Sequence, residues 1–221
     1  MPVKVGLQYI AQWKSSMEKE VQAYEAQPAE QGRIVFYGPS YFTRWSEKWG
    51  MIPLAEALPG KSGAKCCINR GFGSSCAEHH LYYYPRMVKP LAPKVLVYSS
   101  FANGIDFGYS AEELFELAQR VVTYTLTDFP DCHVYICGTT KHKKIIPIEG
   151  HDESAAKYDE WMKAFAEKTP NCYYIDPKEY APLVTDMEDI FVEDGVHYNQ
   201  EGYRRFGDFF RNALKEELEN Y

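Results

Sequence analysis

The chain has 221 residues, of which 31 are acidic and 24 basic, giving a formal net charge of -7. This length suits one domain, and we predict a single domain over residues 1–221 that removes roughly 70% of the unfolded chain's surface from water. Basic residues cluster only in short runs such as residues 141–144. The acidic balance and the lack of a basic stripe predict no nucleic-acid partner.

Cysteine usage and hydropathy point to a reducing compartment. The N-terminus lacks an apolar h-region and no run of about 18 apolar residues occurs, so we expect no signal peptide, no membrane span and a cytoplasmic location. No two cysteines form a C-x-x-C pair, and most lie in apolar runs, which favours buried free thiols over a zinc site or disulfides. The six are Cys66, Cys67, Cys76, Cys132, Cys137 and Cys172.

The first predicted element is an amphipathic helix over residues 8–27, in which Trp13, Met17, Val21 and Tyr24 share one face. We expect this N-terminal segment, residues 1–30, to pack on the outside of the sheet. A buried strand at residues 34–38 then ends in Gly38-Pro39-Ser40, and residues 41–58 are predicted as one helix.

Ser40 has two interpretations at that position. It is either an ordinary N-cap of the following helix, or a hydroxyl delivered to a sharp turn beside free backbone N–H groups and the positive end of a helix dipole.

The remaining chain alternates strands and helices. Four further strands are predicted at residues 64–68, 94–100, 132–137 and 172–175, and helices at residues 76–89, from 110 onwards, 153–168 and 200–217. Ser110-Ala111-Glu112-Glu113 is a capping box for the helix that it begins.

This alternation predicts a three-layer α/β/α sandwich with a five-stranded parallel sheet of order 2-1-3-4-5, a flavodoxin-like arrangement. Ligands in such folds bind beyond the carboxyl ends of the strands where strand order reverses. Ser40 follows the first strand, the glycine-bearing loop at residues 71–74 follows the second, and Asn103 follows the third. We expect these three strand ends to form one site.

The last irregular segment places Asp194 and His197 three residues apart, just before the final helix. On a turn, this spacing lets the carboxylate reach Nδ1–H of the imidazole and leaves Nε2 free to take a proton from a hydroxyl. The alternative is a turn that Asp194 caps, with His197 hydrogen-bonded locally.

Taken together, these blocks resemble the SGNH (GDSL-type) esterases and acylhydrolases. The similarity runs from Ile34 to Leu214, and it is strongest at residues 69–73, Asn-Arg-Gly-Phe-Gly, and at residues 194–203, Asp-Gly-Val-His-Tyr-Asn-Gln-Glu-Gly-Tyr. It rests on the order, the spacing and the expected secondary structure of four separate motifs, and it implies the SGNH hydrolase fold.

The resemblance also implies roles for individual residues. Ser40 would be the nucleophile, His197 the general base and acid, and Asp194 the residue that orients the imidazolium. The oxyanion hole would use the backbone N–H of Ser40, the side chain of Asn103 and an N–H at Gly73 or Ser74. Aromatic residues beside the motifs are candidate substrate contacts, with core packing as the alternative; they are Tyr41, Phe72, Phe101 and Tyr198.

Three of the motifs depart from the family pattern. Pro39 stands where the Gly-Asp-Ser motif has its aspartate, and Ser74 stands where the loop glycine that faces the oxyanion is expected. The usual Gly-x-Asn-Asp appears as Phe101-Ala102-Asn103-Gly104, which adds a bulky ring and loses an acid. These departures put substrate size and turnover rate in question.

The expected activity is therefore that of a serine esterase acting on a small-molecule ester, with a short acyl group such as acetyl on a carbohydrate or similar alcohol. No metal and no cofactor are expected, and the sequence leaves open whether the chain forms a homodimer. A non-catalytic ligand-binding module on the same fold is the alternative, and a nucleotide or phosphate binder is a third possibility that lacks a P-loop. The segment at residues 139–150 is long enough to overhang the site on the side of the leaving group.

Overall fold

A five-stranded parallel sheet forms the centre of the protein. The computed structural model describes residues 10–144 and 149–221. All strand pairs are parallel, with Gly38 beside Gly71 and Tyr37 beside Tyr98, and the order is β2-β1-β3-β4-β5. The predicted fold class and strand order are therefore confirmed. The strands are β1 (Ile34–Gly38), β2 (Cys67–Gly71), β3 (Val95–Tyr98), β4 (His133–Cys137) and β5 (Cys172–Ile175).

Helices follow each strand, and several are single turns. The long ones are α1 (Ile10–Glu25), α4 (Ala77–Met87), α6 (Ala111–Asp128), α7 (His151–Lys168) and α9 (Gln200–Ala213). The short ones are α2 (Ser40–Thr43), α3 (Leu54–Ala57), α5 (Ala102–Asp106), α8 (Ala181–Val184) and α10 (Lys215–Leu218). No helix in the described ranges is both long and apolar enough to cross a bilayer.

Strand alternation divides the core into two layers. Successive side chains of a strand point to opposite faces, so Val35 and Tyr37 join a cluster with buried residues of α4, α6 and α7. Ile34 and Phe36 join a second cluster, in which Phe206 and Phe210 of α9 are buried. Helices therefore cover both faces of the sheet, as parallel strands require.

The N-terminal helix α1 packs against α4. Its Met17 and Val21 are buried in the first cluster, as the spacing of apolar residues predicts. Of the predicted segment, residues 8 and 9 and the side chain of Trp13 lie outside the described part of the chain.

The second strand runs further than predicted. It covers Cys67–Gly71 rather than residues 64–68, so Asn69 and Arg70 belong to the strand and not to the following loop. Asn69 is accommodated because its side chain donates to the carbonyl of Phe42 and accepts from the N–H of Gly71. Arg70 is accommodated because its guanidinium lies over the ring of Tyr24 and donates to Oε1 of Gln27 at 3.1 Å. Both polar side chains are thus satisfied within a buried strand.

The predicted helix over residues 41–58 was also wrong in extent. Only α2 and α3 form there, separated by a 3-10 turn at Glu47–Trp49. Gly50 has a left-handed backbone with φ +74°, and Pro53 precedes α3, so a continuous helix cannot pass through this segment.

The predicted capping box of α6 is present. The side chain of Ser110 accepts from the N–H of Glu113, and the side chain of Glu113 accepts from the N–H of Ser110.

Candidate active site

Ser40 lies in a sharp turn directly after β1. Pro39 occupies the N-cap position of α2, and Ser40 is the first residue of this short helix. The carbonyl of Pro39 accepts hydrogen bonds from the N–H groups of Phe42 at 3.0 Å and Thr43 at 3.3 Å, which closes the turn. Ser40 is therefore not the N-cap of this helix, and no side chain forms a capping hydrogen bond there.

The turn rests on the end of the neighbouring strand β2. A Cβ atom at Gly71 would lie 2.4 Å from the backbone nitrogen of Thr43 and 2.6 Å from Cβ of Phe42. No side chain fits into that space, so glycine permits α2 to contact β2 directly. The position of the Ser40 turn relative to the sheet thus depends on this close approach.

A chain of hydrogen bonds joins Ser40, His197 and Asp194. Nε2 of His197 lies 2.8 Å from Oγ of Ser40, and Nδ1 of His197 lies 2.7 Å from Oδ2 of Asp194. The other carboxylate oxygen, Oδ1, accepts from the backbone N–H groups of Val196 at 2.9 Å and His197 at 2.8 Å. The turn therefore fixes the carboxylate, and the carboxylate fixes the imidazole.

Arg44 extends this chain on the solvent side. Its guanidinium donates to Oδ2 of Asp194 at 3.2 Å and stacks over the ring of Trp49, with 4.5 Å between the guanidinium carbon and the ring centroid. Sequence reasoning missed Arg44, although its spacing of four residues from Ser40 was a usable signal.

The electrostatic setting keeps the imidazole neutral and the carboxylate ionised at pH 7. Burial lowers the pKa of His197; the hydrogen bond that the imidazole donates to Asp194 opposes this shift, while the positive charge of Arg44 adds to it. For Asp194, burial acts to raise the pKa, but the backbone N–H groups of His197 and Val196 outweigh it and hold the pKa well below its usual range. A neutral imidazole that donates its Nδ1–H hydrogen bond to Asp194 has a free Nε2 lone pair facing Ser40.

The predicted oxyanion-hole residues line the same cavity as Ser40. Asn103 lies in α5, and its Nδ2 donates one hydrogen to the carbonyl of Ser75 at 2.8 Å. Ser74 has φ +57°, the left-handed conformation that favours glycine. Within the described part of the chain, the backbone N–H groups of Ser40 and Ser74 donate no hydrogen bond.

Gly73 differs from these donors because its N–H is already occupied. It donates to Oε2 of Glu20 in α1 at 3.1 Å. Burial raises the pKa of Glu20, and the Gly73 hydrogen bond and the charge of Lys48 oppose the shift. Glu20 thus brings a half-buried carboxylate from the N-terminal helix to the loop after β2, a contact that no motif in the sequence indicates.

The cavity at Ser40 has a volume of about 630 Å³ and is lined mostly by polar and charged side chains. A neighbouring cavity of about 710 Å³ lies towards the carboxyl end of β4 and shares Tyr41, His142, Lys144 and His151 with it. The segment predicted to overhang the site, residues 139–150, supplies wall residues to both cavities, while residues 145–148 lie outside the described part. Besides the predicted residues, the Ser40 cavity is lined by Glu20, Thr43, Arg44, Lys48, Trp49, Asp106, His142, Lys144, His151 and Val196.

The four candidate substrate contacts divide into two pairs. Tyr41 lines both cavities, and Phe101 lines the neighbouring one. Phe72 and Tyr198 are 0% and 1% exposed and lie in the two core clusters, so the prediction that they contact substrate is corrected. Their rings pack on other aromatic residues, Phe72 on Tyr37 and Tyr198 on Tyr41.

The described ranges contain no group of three or more His, Cys, Asp or Glu side chains arranged to hold a metal ion. His142 and His151, which the sequence left without a role, lie with ring centroids 6.4 Å apart at the cavity wall. Burial lowers the pKa of His142 to about 4, so this ring is neutral at pH 7.

Comparisons with known proteins show which solved structures share this fold. No protein-family model matches the sequence, and the search of curated proteins gives no match. The structure is similar to a proposed acylhydrolase from Bacteroides fragilis, with a TM-score of 0.71 and 19% identity over 92% of this chain and 98% of that protein. It is also similar to a GDSL-like lipase from Bacteroides thetaiotaomicron, with a TM-score of 0.67 and 16% identity over 94% and 98% of the two chains.

A third similar structure is an acetyl xylan esterase, with a TM-score of 0.67 and 21% identity over 82% of this chain and 99% of the esterase. At these identities the likeness establishes a shared fold that extends over most of each chain.

Proposed function

We propose that this chain is a member of the SGNH (GDSL-type) hydrolases and that it hydrolyses carboxylic esters through Ser40. The observation that carries the proposal is the continuous hydrogen-bonded chain from Ser40 Oγ through His197 to Asp194, at 2.8 and 2.7 Å. A serine hydroxyl is a weak nucleophile unless a positioned base removes its proton during attack, and this geometry meets that requirement.

In the proposed mechanism, Nε2 of His197 takes the Ser40 proton as Oγ attacks the ester carbonyl carbon. The tetrahedral intermediate collapses, the alcohol leaves with the proton from Nε2, and an acyl group remains on Ser40 Oγ. Water, deprotonated by His197, then attacks the acyl carbon, and the acid and free serine are released. Asp194 stabilises the imidazolium in both steps and keeps Nε2 directed at Ser40.

The negative oxygen of the intermediate would be bound by three donors. These are the backbone N–H groups of Ser40 and Ser74 and the side-chain amide of Asn103. Because Gly73 N–H is occupied by Glu20, the structure favours Ser74 as the loop donor. Removing one such donor from a water-excluded site costs about 3–4 kcal/mol of transition-state stabilisation.

For substrate we propose an ester with a short acyl group, such as acetyl, on a carbohydrate or similar polar alcohol. Charged and hydroxylated residues such as Thr43, Arg44 and Lys48 line the Ser40 cavity and can form hydrogen bonds with a polar alcohol, which supports this class. Trp49 is 42% exposed at the rim and offers a flat apolar face beside polar groups. The likeness to an acetyl xylan esterase is consistent with this choice.

The test compares hydrolysis of p-nitrophenyl acetate and p-nitrophenyl octanoate by the wild type and by Ser40→Ala. We expect acetate to be the better substrate and its hydrolysis to fall by at least about 10³-fold in the variant. A preference for octanoate would contradict the short acyl group. Wild-type rates that equal those of Ser40→Ala, together with no labelling by a fluorophosphonate, would contradict the esterase and favour the ligand-binding module.

Activity should depend on the lowered pKa of His197. Because the base acts as neutral imidazole, kcat/KM should be level near pH 7 and fall on acidification with a midpoint below 6.5, the ordinary value for histidine. Arg44→Met removes a positive charge that disfavours the imidazolium, so its midpoint should lie at higher pH. The measurement is kcat/KM against pH for both proteins, and a wild-type midpoint at or above 6.5 would contradict the expectation.

A further inference from the structure

The loop that follows β2, residues 72–75, contains a backbone conformation that needs support. Ser74 has φ +57°, in the left-handed region that side chains other than glycine rarely adopt. Such a residue persists where surrounding contacts hold it in place. Ser74 is itself exposed, so the contacts that hold the loop must come from its neighbours.

Ser75 supplies two of those contacts. Its side chain is 0% exposed, and its Oγ–H donates to the carbonyl of Phe72 at 2.6 Å, which closes the loop around Ser74. Its own carbonyl accepts the hydrogen bond from Nδ2 of Asn103 at 2.8 Å. Ser75 therefore contacts both the loop that carries the Ser74 N–H and the side chain of Asn103.

A buried histidine contacts the side chain of Ser75. Nε2 of His80 lies 2.8 Å from Ser75 Oγ. The single hydroxyl hydrogen of Ser75 is used towards Phe72, so the ring must donate its Nε2–H to Oγ. Nδ1 then accepts from the hydroxyl of Tyr98 at 3.3 Å. The network thus assigns one neutral tautomer to His80.

The surroundings of His80 keep it in that state. The side chain is 0% exposed, and its ring contacts the rings of Tyr37, Phe72 and Tyr98. The hydroxyl of Tyr37 donates to the backbone carbonyl of His80 at 2.7 Å. Burial lowers the pKa of His80 well below its ordinary value. A neutral ring in a fixed orientation is a rigid support for Ser75.

We propose that Ser75 and His80 form a buried positioning pair that holds the Ser74 N–H and the Asn103 amide in place to bind the oxyanion. The inference rests on the proposed esterase function and assigns these two residues a part in the rate of reaction although neither contacts substrate. Glu20 also contacts this loop by accepting the hydrogen bond of Gly73 N–H, which leaves Ser74 N–H as the loop's donor.

The test is the steady-state kinetics of Ser75→Ala and His80→Phe on p-nitrophenyl acetate. Both changes remove the bond between Oγ and Nε2. We expect kcat to fall about 10- to 100-fold with little change in KM, because donors displaced by a fraction of an ångström bind the transition state less well than the substrate. His80→Gln, whose amide can donate to Ser75, should recover much of the lost kcat.

A matched control separates positioning from general destabilisation. Thr125 is also 0% exposed, and its hydroxyl donates within α6 to the carbonyl of Val121 at 2.9 Å, away from the cavity. Thr125→Val should change thermal stability to a similar degree and leave kcat unchanged. Affinity for methylboronic acid, which forms a tetrahedral anionic adduct with Ser40 Oγ, should fall in Ser75→Ala in parallel with kcat and stay at the wild-type value in Thr125→Val.

The outcomes are distinct. Wild-type kcat in folded Ser75→Ala or His80→Phe, or an equal loss in Thr125→Val, would overturn the positioning role. ¹⁵N NMR of the wild type gives a test that needs no variant: His80 should be neutral with its proton on Nε2, and a charged ring or an Nδ1–H tautomer would overturn the inference. If Ser40→Ala hydrolyses esters as well as the wild type, the proposed function fails, and the NMR result still decides the arrangement of the pair.

Discussion

Asp194→Asn should lower kcat for ester hydrolysis by about 10⁴-fold while the protein stays folded. Asparagine can keep the acceptor oxygen that receives the backbone N–H groups of Val196 and His197. Its NH₂ group then replaces Oδ2 beside Nδ1 of His197, where a donor cannot accept the ring proton. The imidazole would turn to the other tautomer, with Nε2–H facing Ser40, and could no longer act as a base.

The control for this variant is Glu193→Gln, which removes an adjacent, exposed carboxylate. Its kcat should match that of the wild type, since surface charge alone contributes little here. The measurement is kcat on p-nitrophenyl acetate with circular dichroism of each variant. A loss of less than tenfold in folded Asp194→Asn would mean that Asp194 does not set the tautomer of His197.

Gly202→Ala should destabilise the protein strongly, whereas Gly207→Ala in the same helix should not. A Cβ atom at Gly202 would lie 2.3 Å from the carbonyl oxygen of Ile190 and 2.7 Å from Cβ of Tyr198. The first of these is backbone, so the segment that carries Asp194 and His197 would have to move away from α9. We expect a loss of about 1–3 kcal/mol in the free energy of unfolding, together with lower kcat because Asp194 and His197 would move relative to Ser40.

At Gly207 the closest atoms to an added Cβ are 3.5 Å away, which is ordinary van der Waals contact. Alanine is the better helix former, so Gly207→Ala should stabilise by up to about 1 kcal/mol. Thermal denaturation of both variants gives the comparison, at about 2–4 °C per kcal/mol for a chain of this size. Equal melting temperatures for the two would contradict the close approach at Gly202.

Much of the architecture could be predicted because it follows from patterns local to each element. Apolar runs such as β3 and β5 and the capping box at Ser110 identify strands and helices, and their strict alternation leaves few topologies for a parallel sheet. The motif residues Ser40, Asn103, Asp194 and His197 follow strand ends or precede the last helix. The topology alone brings such positions to one edge of the sheet. In the structure, these four residues line one cavity there.

The rest depends on packing between distant elements. Asn69 and Arg70 looked like a loop because their partners, Phe42 and Tyr24, are far away in sequence. Phe72 was expected to contact substrate because it is an aromatic residue beside a motif. The direction of its side chain depends on where β2 ends, and the strand ends at Gly71. Glu20 reaches the site only because α1 packs on α4, a contact that no local pattern encodes.

The six buried thiols have a consequence for chemical labelling and oxidative damage. All are free, and burial raises the pKa of Cys76, Cys132 and Cys172 to about 12. Oxidation and alkylation need an accessible thiolate. The hydrogen bond with its neighbour Cys67 lowers the pKa of Cys66, but Cys66 is 0% exposed and its thiol is also out of reach. The thiols of the folded protein should therefore resist peroxide and maleimide, and a fluorophosphonate that labels the protein should report Ser40.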